Sequence, residues 1–341
     1  MKALFIGGTG TISMAITKAL AANSNWELYL LNRGTRTAEL PQNVKVIKAD
    51  INDEKSVNEQ IKDMQFDTVC DFIGFELPQV ERDFRLFGGK TRQYMYISSA
   101  SAYAKPVRDY RITEGTSLAN PHWEYSRNKI RCEHFLMEKY RNEGFPVTIV
   151  RPSHTYDERN IPLSIQASIG SWPVVKRMLE GKPVLIHGDG TTLWTVTHNS
   201  DFAKGFIGLM GNPRAIGEAF NITSDESLTW DQIYKAVADA LGVEFKPYHV
   251  SSDFLCEVNP AYEGELLGDK TYTVVFDNRK LKNVVPDFVC TTRFEQGVRK
   301  ITEYYLTHKE SQRDDKEFDA FCDNVIETLE KAKKSSKKVT L

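Results

Sequence analysis

No run of about 18 apolar residues occurs in this chain of 341 residues, so no helix is expected to cross a membrane. An excess of charge is missing too. Lys and Arg number 44 against 46 Asp and Glu, for a net charge of −2, and no global basic field points to nucleic acid or to a membrane surface. Cysteine is sparse: Cys70, Cys132, Cys256, Cys290 and Cys322 are scattered, odd in number and without a Cys-x-x-Cys pair. That argues against a disulfide or zinc framework and predicts reduced thiols in a cytoplasmic protein. No His, Cys and Asp cluster has ligand spacing, so no metal is expected. The apolar start, Ala3 to Ile6, is short for a signal peptide and runs into a glycine turn, as a buried first strand does. What remains is ordinary globular composition, 41% hydrophobic and 26% charged, enough for one large domain or two interlocked ones. No internal repeat is evident.

The first half alternates short β-like runs with helical stretches, the pattern of a doubly wound parallel α/β sheet. Strands are expected at Ala3 to Ile6, Glu27 to Leu31, Val44 to Ile47, Thr68 to Phe72, Tyr94 to Ile97 and Val147 to Val150. Helices are expected at Ile12 to Ala22, Lys55 to Met64, Gln79 to Phe87 and His122 to Asn142. After Arg151-Pro152 the pattern turns irregular. Ile165 to Glu180, Asp201 to Met210 and Trp230 to Leu241 read as helices, the last opened by Thr229, and Ala219 to Ile222 as a short strand. Pro247 to Asp269 has weak periodicity and several aromatics, as a cap over a substrate would. Phe318, Phe321, Val325, Ile326 and Leu329 recur at helical spacing and predict a docked C-terminal helix. The lysine-rich end, Lys331 to Lys338, reads as a solvated tail.

Gly7-Gly8-Thr9-Gly10, continuing into Thr11-Ile12, lies between a strand and a helix. Glycines there allow a tight turn and close approach of backbone amides to a pyrophosphate at a helix N-terminus. At the end of the second strand a carboxylate usually meets the adenosine ribose. Here Asn32-Arg33-Gly34-Thr35-Arg36 offers no acid and two arginines, which favours the 2′-phosphate of NADP over NAD. Asp50, followed by Ile51, is placed to accept from the adenine amino group, with a helix N-cap as its plainer role.

Ser98-Ser99-Ala100-Ser101 follows the fifth strand at the carboxyl edge of the sheet, where such folds place ligands. Ser99 is the serine expected to hold a substrate oxygen, with Ser98 and Ser101 capping nearby backbone. Tyr125 and Lys129 stand four apart on one helix face. An ammonium beside a phenol favours the phenolate, so the Tyr125 pKa is expected to fall. Ser99, Tyr125 and Lys129 behind a glycine turn suit hydride transfer between a nicotinamide and a carbinol carbon, with Tyr125 as general acid/base. Lys129 is also expected to bond the nicotinamide ribose. His154, Tyr156, Trp194 and His198 are candidate substrate contacts. A core histidine is the plainer role for His198, and simple packing for Trp194.

In combination and order these motifs resemble the extended short-chain dehydrogenases/reductases, the NAD-dependent epimerase/dehydratase family. The resemblance spans roughly residues 1 to 305: the glycine turn, Ala49-Asp50-Ile51, Tyr96 to Tyr103, Tyr125 to Lys129, Arg151 to Tyr156, Gly188-Asp189-Gly190, Val196 to Asp201 and Phe220-Asn221-Ile222. It implies a Rossmann-type sheet with a smaller, interleaved C-terminal substrate domain. Residues 1–152 plus about 186–222 would bind the dinucleotide, 153–185 plus about 223–305 the substrate, and 306–341 would add the helix and tail. It also implies a homodimer built on the helix of Tyr125 and its neighbour.

Four departures qualify the resemblance. Ser13 stands where the family's third glycine closes the turn. Ala100-Ser101 stands where the dehydratases carry an acidic pair, which argues against dehydration. Leu193-Trp194-Thr195 stands where nucleotide-sugar members place an arginine on the diphosphate. Leu31 to Gly34 is similar to the chloroplast stem-loop RNA-binding branch. The expectation is an NAD(P)-dependent oxidoreductase acting on a secondary alcohol or ketone of a small-molecule sugar or sugar derivative. The alternatives are a sugar or nucleotide-sugar epimerase with retained NAD, and a non-enzymatic RNA-associated protein on the same fold, against which the intact Ser99, Tyr125 and Lys129 speak.

Overall fold

Alternation of side chains along the strands sets the architecture. In the computed structural model, which describes residues 1–34 and 40–336, seven strands form one sheet. They are β1 (Lys2–Ile6), β2 (Glu27–Asn32), β3 (Lys45–Lys48), β4 (Thr68–Asp71), β5 (Tyr94–Ile97), β6 (Val147–Pro152) and β7 (Glu218–Ile222). Their order is β7-β6-β5-β4-β1-β2-β3, and every pairing is parallel. The order reverses beside β1, which leaves a crevice at the carboxyl ends of β1 and β4.

Both faces of a parallel sheet must be covered. Ala3 and Phe5 point to one face, where Ile16 and Leu20 of α1 (Thr11–Ala21) meet Phe202 and Phe206 of a helix at Asn199–Leu209. Leu4 and Ile6 point to the other, which is covered by α2 (Glu54–Ile61), α3 (Leu77–Phe87) and α4 (Glu124–Glu143) through Val57, Val80, Cys132 and Leu136. A third apolar cluster, around Trp172, Trp194, Trp230 and Tyr234, builds the half beyond β6. The helix Lys316–Ser336 docks there through Phe318, Cys322 and Val325, and Arg177 bonds Asp323 at 2.7 Å and Asp319.

The expected helix from Ile165 to Glu180 is shorter, Trp172–Leu179. Gly170 has φ +125°, outside helical space, and the Ile165 N–H and C=O both bond the Tyr234 hydroxyl instead of a helix neighbour. Trp230–Leu241 forms as expected, because Thr229 and Gln232 make a reciprocal capping box. No helix among the described residues is long and apolar enough to cross a membrane.

One buried ion pair joins α4 to the sheet. Arg151 on β6 donates to both oxygens of Glu133 on α4, at 2.9 and 2.5 Å, and to the Tyr103 hydroxyl at 3.0 Å. Tyr103 in turn donates to Asn221 of β7 at 2.7 Å. Glu133→Ala leaves the Arg151 guanidinium buried without its counter-ion. The expected loss is about 3–5 kcal/mol in urea unfolding. A loss in the range of a surface pair, about 0–1 kcal/mol, would show that α4 is held by its apolar face alone.

Candidate active site

The glycine turn opens the crevice. Gly7 and Gly8 have φ of +101° and +95°, a region side chains rarely adopt. A Cβ on Gly8 would lie 2.7 Å from Leu30 Cδ2 on the neighbouring strand. Gly10 starts α1 in an extended conformation, and its N–H donates to Ser13 Oγ at 2.9 Å. Ser13 is buried, so the serine in place of a third glycine packs and caps at once. Thr17 donates to the Gly8 carbonyl at 2.8 Å, which ties the turn to its helix. Thr11 opens the helix and its carbonyl accepts the Asn199 amide at 2.9 Å, while Ile12 packs on the core.

The turn lines a cavity of about 400 Å³ together with Asn32, Arg33, Asp50, Ile51, Phe72 and Ile73. Its glycine cradle, helix N-terminus and elongated rim of strand ends fit a dinucleotide. Asn32 Oδ1 accepts from the Gly34 N–H at 2.9 Å. Asp50 caps no helix. It accepts from Asn52, and the N-cap of α2 is Asp53. Arg36 lies outside the described residues.

Next along the edge stand Ser99, Tyr125 and Lys129. Ser99 ends the β5 turn in an extended conformation and accepts from the Ser101 N–H at 3.1 Å. Its Oγ is 2.8 Å from that of Ser101, which accepts from Ser126 at 2.7 Å. The capping role expected of Ser98 and Ser101 therefore falls to Ser99, because Ser98 points inward and donates to Glu133. Lys129 is buried and donates to the carbonyls of Gly74 and Ile97, each at 2.7 Å. Burial pushes its pKa down to about 8, against the opposing pull of Asp71. A Cβ on Gly74 would sit 2.0 Å from Asp71 Oδ2, so any larger residue there must displace that carboxylate.

The Tyr125 ring lies 5.0 Å from Trp123 and 6.3 Å from Phe75. Its pKa is raised, contrary to the expected fall. Burial is the main cause, the Ser99 hydroxyl opposes it and the Asp269 carboxylate adds to it. The Lys129 ammonium lies 5.8 Å from the ring centroid and is already engaged by two carbonyls.

The four candidate substrate contacts separate. His154 is half-buried, and burial with Lys270 nearby pushes its pKa down to about 3, so it is neutral. Trp194 is buried against Trp230 at 6.1 Å. Tyr156 packs on His198 and Phe294, at 5.2 and 5.5 Å. His198 bonds Ser200 at 2.7 Å and faces Glu158 at 3.4 Å, so its partners are side chains and the Ser200 N–H. Tyr156 and His198 thus pack against each other, Tyr156 also on Phe294 and His198 also on Ser200 and Glu158.

Other residues at the site carry no local motif. Asn120 donates to the carbonyls of Ser101 and Gly268, at 2.9 and 2.7 Å. That clamps the segment Leu266–Lys270, a wide helical turn, onto the loop after β5. Lys105 and Asp269 come together beside it. Glu133 could have been noticed from its position one turn after Lys129 on the same helix face. The distant pairs could not.

A model of the NAD dependent epimerase/dehydratase family matches residues 3–223. The chain is 25% identical to a 2′-dehydrokanamycin reductase of Streptomyces kanamyceticus, over 90% of this chain and 84% of the relative. It is 26% identical to a chloroplast stem-loop binding protein of 41 kDa of Arabidopsis thaliana, over 71% of this chain and 63% of that protein. Among solved structures, it is similar in fold to a UDP-glucuronic acid 4-epimerase of Bacillus cereus in complex with UDP-glucuronic acid and NAD. The TM-score is 0.71 at 20% identity, covering 90% of this chain and 99% of that one.

Gly8→Ala is expected to weaken NAD binding at least about tenfold, because the turn must open against Leu30 and a disfavoured φ. Isothermal titration with NAD measures it. Unchanged affinity would mean that the pyrophosphate does not sit on this turn.

Proposed function

The chain belongs to the NAD dependent epimerase/dehydratase family, and on that premise we propose that it is a nicotinamide-dependent oxidoreductase acting on a secondary alcohol or ketone of a sugar or sugar derivative. The observation that carries this is the convergence of Ser99, Tyr125 and Lys129 beside the glycine-lined cavity at the carboxyl edge of the sheet. A dinucleotide held by Gly7, Gly8, Thr9 and Gly10 would supply the hydride exchange. Ser99 donates to the substrate oxygen. Tyr125 gives that oxygen its proton in reduction and takes it back in oxidation. Lys129 spends two of its three donors on Gly74 and Ile97, which leaves one for the ribose.

The environment of Ser99 favours redox chemistry over dehydration. The residues after it are Ala100, Ser101 and Ala102, with no carboxylate among them to expel a hydroxyl. Tyr125→Phe is expected to lower turnover by about 10²–10⁴-fold with NAD affinity unchanged. Steady-state rates followed at the nicotinamide absorbance, paired with a binding titration, check this. Full activity in that variant would remove Tyr125 from the mechanism.

A preference for NADP over NAD goes with Arg33. It lies on the cavity wall at the end of β2, in the run Asn32-Arg33-Gly34, which carries a guanidinium and no acid. Arg33→Ala should weaken NADPH binding on the order of tenfold and leave NADH alone. Equal losses for both would assign Arg33 to the shared part of the dinucleotide. The free cysteines fit a reducing compartment. A homodimer through the outer faces of α3 and α4 also belongs to this reading.

A further inference from the structure

Lys105 and Asp269 form a buried pair that no part of the reaction above uses. Lys105 leaves the loop that follows Ser99, and its backbone N–H is fixed to the Ala119 carbonyl at 3.0 Å. Asp269 lies in the segment that Asn120 clamps to the same loop. Both are more than nine-tenths buried. Their charged atoms are 3.9 Å apart, too far for a hydrogen bond. Asp269 Oδ1 and the neighbouring Trp194 Nε1 find no hydrogen-bond partner among the described residues. The Lys105 ammonium stands 5.8 Å over the Trp194 ring.

A buried polar atom without a partner costs stability, so its persistence here points to a ligand that completes it. The geometry says which kind. A hydroxyl oxygen placed about 2.8 Å from each partner would close the gap between ammonium and carboxylate, accepting from one and donating to the other. Asp269 also lies close enough to Tyr125 to raise its pKa, so the gap adjoins the reacting centre.

Charge balance narrows the ligand further. The other charged side chains near Asp269 are Lys270 and Glu265, which pair with each other. Two cations are matched by two carboxylates, and His154 is neutral. A pyrophosphate would enter without a free counter-charge, whereas an uncharged polyol would not require one.

We propose that Lys105 and Asp269 are the specificity-determining pair of this enzyme, seating a ring hydroxyl next to the reacting carbinol of an uncharged polyhydroxylated ring rather than a nucleoside-diphosphate sugar. This rests on the oxidoreductase reading above. Asp269 acts as a carboxylate, and burial pushes its pKa up to about 6 against the pull of Lys105 and Lys270. Below that pH it is protonated and no longer accepts from the hydroxyl, so kcat/KM falls as pH drops through about 6.

The test is oxidation by the cofactor-loaded enzyme of two sets of probes. One holds myo-inositol and the methyl glycosides of glucose and galactose, and the other UDP-glucose and UDP-galactose. Turnover of at least one uncharged ring in preference to the UDP-sugars is expected. Asp269→Asn and Lys105→Met should each raise KM by about ten- to a hundredfold with little change in kcat. Asp269→Asn should also lose the acid limb of kcat/KM. The double variant separates this role from a structural one. A merely structural pair recovers when both charges go together, since neither is left stranded. A pair that reads the substrate stays impaired.

Preference for the UDP-sugars, or recovery of KM in the double variant, overturns the assignment and leaves the Tyr125 chemistry standing. Turnover of neither set, with NAD still bound, overturns it together with the reading beneath it.

Discussion

Three polar groups on one face of α4 hold the active site in register with the sheet. Tyr125, Lys129 and Glu133 recur at four-residue steps, so they stack along the helix. Lys129 reaches carbonyls that follow β4 and end β5, and Glu133 meets Arg151 of β6 and the Ser98 hydroxyl after β5. Lys129 and Glu133 are each only 2% exposed, so both charges depend on partners inside the protein. A helix packed by Cys132 and Leu136 alone could slide along the sheet with little change in apolar contact. A helix carrying two buried charges cannot, because any slip strands them. The directional bonds therefore place the Tyr125 phenol, one turn upstream, opposite Ser99.

The same economy governs the cofactor side. The reversal of strand order beside β1 opens the crevice, and the Gly7-Gly8 turn lets the chain cross it close to the sheet. Asn199 then links the start of α1 to the second helix on that face. Residues far apart along the chain thus converge on the carboxyl edge. The glycine-lined cavity and the loop after β5 are therefore set by one sheet.

Much of this was legible from local pattern. β1 to β6 and α1 to α4 follow from alternation and amphipathic spacing, within a few residues of their ends. Thr229 announced its helix because a capping box is local chemistry. The helix from Ile165 was misjudged because Gly170 breaks it and Tyr234, distant in sequence, takes the backbone bonds. The pairing of Lys105 with Asp269, and of Arg151 with Glu133, had no local signal at all. Each joins side chains that only the folded chain brings together.

The direction of the Tyr125 shift was misread for a related reason. Proximity of an ammonium to a phenol is a statement about one pair of charges, whereas a pKa sums every neighbour and the loss of water. Here burial acts on both members. It raises the phenol and lowers the lysine. At neutral pH the pair therefore rests with Tyr125 protonated and Lys129, below about 8, still charged. That is the proton-donating form. A reading of the Lys129 charge alone thus gets the sign of the Tyr125 shift wrong, because burial outweighs it.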